Sequence, residues 1–339
     1  MTEGYKGIWV FVEQRKGKAA PISWELHGIG ADLSKTLGVE LCSVVIGDNV
    51  SHLCDESFSY GAVRTYLVDD QIFRDYRTEP YYRTICNLVN KYKPEILLFG
   101  STGMGKDLSG AVAAELRTGI TEGCTELSIG DNRRLLMTRP TYGGNIMATI
   151  ITDKTMPQIA SVRQRAVPMP EKDISHKGDV IKEAVAIREE EIGVKVLEVI
   201  DSSKETGGSI DITNAEIIIG GGRGVGVAET FQSLQELADE LGGKVATSRA
   251  AVEDGLAPMN IWVGQSGITV RPKVYFACGI SGAIQHLAGM RDSDVIIAIN
   301  YDRQAPIFEV STYGIEGDCT QVIPAMTAYI RELKAKKSA

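Results

Sequence analysis

Four stretches in the last third of the chain place glycines and small polar residues directly after apolar runs. Val274 to Ala277 is a strand-type run, and behind it Gly279 and Gly282 bracket Ser281, a residue type that caps helices. The spacing predicts a helix with Gln285 and His286 in its first turns and Gly289 at its end. A buried strand, Val295 to Ile299, then leads to Asn300. Upstream, Ile217 to Ile219 run into Gly220-Gly-Gly-Arg-Gly-Val-Gly226. Ser248-Arg249 and Val263-Gly264-Gln265-Ser266-Gly267 supply two more polar turns. A glycine turn between strand and helix lets backbone N–H groups approach a phosphate, and the helix N-terminus favours its charge. Arg223 adds a cation to such a cradle.

The turns do not match a standard dinucleotide site. Gly222-x-Gly224-x-Gly226 departs from G-x-G-x-x-G, and Ala246-Thr-Ser-Arg249 stands where that site carries an acid. The sequence has no H-E-x-x-H, no G-x-S-x-G and no paired catalytic carboxylates. Hydroxyls, amides, backbone N–H groups and a few arginines suit a large, anionic, polar cofactor that supplies its own chemistry.

The elements that must position these turns follow an alternating pattern. Strands are expected at Gly7–Val12, Val39–Ile46, Arg64–Val68 and Ile96–Phe99, with helices over 22–37, 51–60 and 81–92 between them. Strand–helix alternation predicts an α/β fold of two domains, each a mostly parallel sheet flanked by helices, the first Rossmann-like. The fourth strand enters Gly100-Ser-Thr-Gly-Met-Gly-Lys-Asp107, ahead of a helix over 108–116. The two glycines and Lys106 have P-loop spacing, but Asp107 replaces the Mg-binding hydroxyl and would repel phosphate. An ATP-binding regulatory protein using Gly100–Asp107 is the alternative of another class. A hairpin is expected from Leu135–Thr138 and Ile146–Thr152, with Arg139 either a functional cation or a solvated arginine near the turn. Strands are expected at 159–163, 180–187 and 194–200, and the polar run Asp201–Ser209 reads as a linker. The end of the chain reads as a strand and turn over 305–318 and a helix over 322–334 with Pro324 in its first turn.

Composition bounds the function. The chain has 339 residues, 43% hydrophobic and 24% charged, with a net charge of −8, which makes nucleic acid a poor partner. Apolar runs stay strand-sized, far below the roughly 20 residues that span a bilayer, so a cytoplasmic protein without membrane insertion is expected. The six cysteines form no C-x-x-C pair and the four histidines are scattered, so no metal site is expected.

Taken in order, Gly221-Gly-Arg-Gly-Val-Gly226, Ser248-Arg-Ala-Ala-Val252, Val263-Gly-Gln-Ser-Gly267, Gly279-Ile-Ser-Gly-Ala-Ile-Gln-His-Leu-Ala-Gly289, Ile297-Ala-Ile-Asn300 and Ala305-Pro-Ile-Phe308 resemble the electron transfer flavoprotein alpha subunit. The resemblance is dense in the C-terminal domain and extends to the N-terminal one in layout. It implies a heterodimer in which residues 1–205 pack on a beta subunit and residues 206–339 bind FAD. It implies Arg249 against the flavin face, Ser266 near N5 and His286 at the N1/O2 edge. Gly282, Ala283, Ile284 and Asn300 would hold the ribityl and diphosphate portion, with Arg223 and Asp318 at the adenosine end. Ser248, Val263, Gly264, Gln265, Thr269, Ser281 and Gln285 complete the implied contacts. A cation about 4 Å from negative charge on the ring gains roughly 4 kcal/mol at an effective dielectric near 20, and Arg249 and His286 are the groups expected to supply it. Ser266-Gly-Ile-Thr-Val-Arg-Pro272 and Ala277-Cys-Gly279 resemble members that draw electrons from NADH and bifurcate them, with an acyl-CoA dehydrogenase and ferredoxin or flavodoxin as partners. A conventional shuttle with AMP in the beta subunit is the alternative. A sirtuin-like or deoxyhypusine-synthase-like NAD enzyme has only fold analogy behind it.

Overall fold

The computed structural model describes residues 4–141, 146–185, 187–199, 212, 213 and 215–338. They form two compact units, one reaching Val199 and one beginning at Ile212. The expected linker, Asp201–Ser209, and the expected domain boundary lie outside the described residues.

The first unit is built on strands whose alternate residues face opposite layers. In β1 (Ile8–Phe11), Ile8 and Val10 pack with Leu26, Leu33 and Leu37 of helix α1 (Pro21–Leu37). Trp9 and Phe11 face the other way, in a core with Ile85 and Val89 of α3 (Thr78–Tyr92) and Leu108 and Val112 of α4 (Gly103–Leu116). Such strands, buried on both faces, read as continuous apolar runs, the signature of a parallel sheet between helix layers. The sheet has seven parallel strands: β12 (Asp179–Lys182), β5 (Arg64–Asp69), β4 (Leu41–Gly47), β1, β6 (Ile96–Gly100), β11 (Gln158–Val162) and β7 (Ile120–Cys124), in that order. A separate antiparallel sheet joins β8 (Glu126–Ile129), β9 (Leu135–Thr141) and β10 (Ile146–Ile150).

The second unit has five parallel strands in the order β14 (Lys244–Thr247), β13 (Ile217–Gly221), β15 (Val274–Cys278), β16 (Val295–Asn300), β17 (Tyr313–Glu316). The chain leaves β13 for one neighbour and returns to the other. The gap between β13 and β15 is therefore a topological switch point, where ligands of open α/β sheets bind beyond the strand C-termini. Among the described residues no helix is long and apolar enough to cross a membrane.

Five expectations need correction. β7 and β8 were not foreseen, because runs of four and five residues containing Thr and Glu do not stand out as apolar. Residues 194–199 form no strand, although Val194, Leu197 and Val199 give them strand composition; these side chains are exposed. Ser281 does not cap the helix after β15, which spans only Ile284–Met290 with Ala283 at its N-cap. Residues 305–314 begin as a short helix, Ile307–Val310, before β17. The closing helix runs from Cys319 to Ser338, so Pro324 lies in its interior rather than its first turn.

His27 ties α1 to β4. Its Nδ1 donates to the Ser23 carbonyl at 2.6 Å, so its Nε2 accepts from the Ser43 hydroxyl at 2.7 Å. Burial pushes its pKa down to about 4, against a smaller upward pull from the Ser23 backbone. The unfolded ring takes its proton near pH 6.5 and the folded ring near 4, so this stability is complete above pH 6.5 and lost as the pH falls to 4. The urea midpoint should fall across that window, and His27→Gln should flatten the fall. An unchanged slope in the variant would exclude His27 as its source.

Candidate functional site

At the switch point two backbones touch. Gly222 N–H donates to the Cys278 carbonyl at 2.8 Å, and Gly224 N–H to the Gly279 carbonyl at 3.0 Å. A Cβ on Gly222 would sit 2.2 Å from the Gly279 oxygen, so no side chain fits between the loops. Gly282 has φ +91°, and a Cβ there would fall 2.3 Å from the Ile307 nitrogen. Asn300 fixes this floor: its Nδ2 donates to the Ile280 carbonyl at 3.0 Å and its Oδ1 accepts from Asp302 N–H at 2.9 Å.

Above this floor lies a cavity of about 600 Å³. It brings together Arg223, Ser248, Arg249, Val263, Gly264 and Gln265 with Ser266, Ser281, Ala283, Gln285, His286 and Asn300. Thr269, Gly282, Ile284 and Asp318 do not line it. Gly282 is buried beneath the loop, whereas Thr269 and Ile284 are exposed. Asp318 accepts from the Thr320 N–H and hydroxyl, both at 2.8 Å, and these bonds hold its carboxyl below its ordinary value at the start of the closing helix. The cavity also contains Glu253, Trp262, Tyr301 and Asp302, which the sequence reading missed. The aromatic directly before Val263-Gly-Gln-Ser-Gly267 was the available signal.

The charges differ from expectation. His286 is buried, its Nε2 stands 3.1 Å from the Tyr275 hydroxyl, and its Nδ1 has no partner among the described residues. Burial lowers its pKa to about 4, opposed in part by the Val263 backbone. The ring is therefore neutral at pH 7, and among the described residues the permanent positive charges in the cavity lining are Arg223 and Arg249. Each has an acid beside it. Arg249 Nε lies 2.7 Å from Glu253, and Arg223 Nε lies 2.7 Å from Asp254. Burial raises the thiol pKa of Cys278, next to the floor, and places it among the inert structural cysteines.

The first unit has a switch point of its own, between β1 and β6, and Glu13 and Thr102 meet beyond those strands. Thr102 donates to Glu13 at 2.6 Å and accepts from Gly105 N–H at 2.8 Å, capping α4. Burial raises the Glu13 pKa, with the Thr102 bond working against it. Asp107 accepts from Tyr76 at 2.7 Å and Thr78 at 2.6 Å. Gly100–Asp107 thus spends its cap on its own threonine, and that threonine is bonded to a carboxyl group.

Fold and cavity define an α/β protein with a polar cavity at a sheet switch point and Arg223 and Arg249 in its lining. The comparisons narrow the class. The Electron transfer flavoprotein domain matches residues 8–188, and the Electron transfer flavoprotein FAD-binding domain matches residues 211–291. The electron transfer flavoprotein subunit alpha of Clostridium acetobutylicum is 45% identical over 330 residues, 96% of this chain and 97% of that protein. Protein FixB of Azorhizobium caulinodans is 43% identical over 335 residues, 97% of this chain and 89% of that protein. The chain belongs to the electron transfer flavoprotein alpha subunit family. The residues fit a flavin: hydroxyls, amides and two guanidinium groups line the cavity, as a large, anionic, polar cofactor requires, and His286 stands in its wall.

Gly222→Ala should cost the second unit about 2–3 kcal/mol through forced separation of the two loops. Urea unfolding followed by Trp262 emission measures it. A loss below about 0.5 kcal/mol, the size of an ordinary surface change, would show that the loops part freely.

Proposed function

We propose that the cavity holds FAD and that the chain is the alpha subunit of a heterodimeric electron carrier of the cytoplasm. Residues 206–339 carry the cofactor and residues 1–205 pack on a beta subunit. The observation that carries the reading is the cavity at the switch point between β13 and β15, with glycine loops on its floor and Arg223 and Arg249 on its wall. Bound FAD supplies the uptake and release of electrons.

The chain's own residues bind and tune. The glycine loops keep side chains out of the way of the phosphates, and Arg223 supplies a cation to them. Ser266 offers a hydroxyl and Gln265 an amide to the polar edge of the ring. Arg249 opposes negative charge that develops there, and this matters most once the ring excludes water and lowers the local dielectric. His286, neutral at pH 7, contributes a hydrogen bond rather than a fixed charge. No group in this set is placed for acid–base catalysis, as suits a carrier.

Within this reading the complex bifurcates electrons from NADH, working with an acyl-CoA dehydrogenase and ferredoxin or flavodoxin. The support is the 266–272 and 277–279 sequence pattern. In that form the beta subunit holds a second FAD; in a conventional shuttle it holds AMP. Co-purification with the beta subunit and denaturation should release two FAD per pair. One FAD with AMP would leave the carrier reading standing and remove bifurcation, while no flavin would remove both. Arg249→Ala should weaken FAD retention about tenfold, the order expected for removing one interfacial cation. Unchanged retention and reduction potential would contradict its role.

A further inference from the structure

The cavity wall contains an aromatic ring, that of Trp262, which two parts of the site both approach. Trp262 is one of three tryptophans in the chain, and the other two, Trp9 and Trp24, belong to the first unit. The guanidinium carbon of Arg249 lies 5.7 Å from the centre of the indole. The same indole is closely fitted to the turn that carries Ser266. A Cβ on Gly264 would sit 3.2 Å from its Nε1, and a Cβ on Gly267 would sit 3.0 Å from its Cδ2. The Trp262 backbone closes that turn, accepting from Ile268 N–H at 2.8 Å, and bridges to Thr247 at the end of β14. Thr247 is followed by Ser248, which caps the helix that Arg249 begins.

Arg249 needs such a support. Among the described residues its ion pair is with Glu253, one helical turn away, and its side chain is 66% exposed. An exposed pair of that kind holds an arginine only weakly in one orientation. An indole face attracts the guanidinium by its quadrupole, and the attraction grows when water is excluded. The glycines at 264 and 267 leave no room for the turn to shift towards the ring without meeting it.

We propose that Trp262 is a positioning residue that sets both the Arg249 guanidinium and the Ser266 turn in the arrangement the cofactor meets. The proposal rests on the flavin reading above. An aliphatic residue could fill the volume but could not hold the cation. A phenyl ring keeps the face and loses the indole Nε1.

The test uses the complete alpha–beta complex, stripped of flavin and titrated with FAD. Trp262→Leu should weaken FAD binding about tenfold and Trp262→Phe less than threefold, the range expected for a guanidinium–indole contact. In an Arg249→Ala background the Leu substitution should cost under threefold more, because its main partner is gone. The flavin reduction potential should shift with Trp262→Leu and return with Trp262→Phe. Equal losses in both backgrounds, or a Leu variant with unaltered affinity and potential, would overturn the proposal. A Leu variant that fails to assemble leaves the decision to fluorescence. The emission lost in Trp262→Phe should be quenched by FAD in the unsubstituted complex, and its persistence at full intensity would overturn the proposal. An unsubstituted complex that takes up no FAD would instead sink the flavin reading, so the two failures are distinct.

Discussion

The contact between the Gly222 and Gly279 backbones governs the second unit. Two parallel strands of a β–α–β arrangement diverge at their C-termini only if the loops beyond them stay apart or lie flat on one another. Here they lie flat, with Gly222 N–H on the Cys278 carbonyl and Gly224 N–H on the Gly279 carbonyl. A floor made of backbone leaves no side chain standing between the two loops and the cavity above them. The side chains that matter stand on the wall, and they arrive there because every strand of the sheet points the same way.

The two units show how one architecture takes opposite electrostatics. Both have a switch point beside their first strand. In the first unit, Glu13 and the Thr102 cap occupy it, so an incoming anion meets a carboxylate. In the second, two arginines face the opening, each in contact with one of the consecutive acids Glu253 and Asp254. These pairs are solvent-exposed and weak. Pairs of this kind leave the arginines available to another anion at the opening. His286 behaves differently: burial removes its charge, with only a partial upward pull from the Val263 backbone.

The parallel sheets were legible because a strand buried on both faces leaves a continuous apolar run, as in Val295 to Ile299, and glycine loops mark its end. The glycine pattern also pointed to the cavity, since only glycine survives where two backbones touch. Other features depend on the third dimension. Residues 194–199 have the composition of a strand but no neighbour to pair with among the described residues, and composition does not report a missing partner. Ser281 is a good cap by type, yet the backbone turns two residues later at Ala283. The charge of His286 depends on its burial beside Tyr275, and spacing alone does not show burial. Glu253 and Trp262 escaped notice because neither has chemistry of its own there; each acts on Arg249.

Hydrogen exchange of the alpha–beta complex, with and without FAD, tests most directly whether the switch point of the second unit is the cofactor seat. FAD should protect amides in 222–226, 248–250, 263–267 and 279–286 together, and leave 100–107 unchanged. Protection confined to 100–107, or none in the second unit, would contradict it.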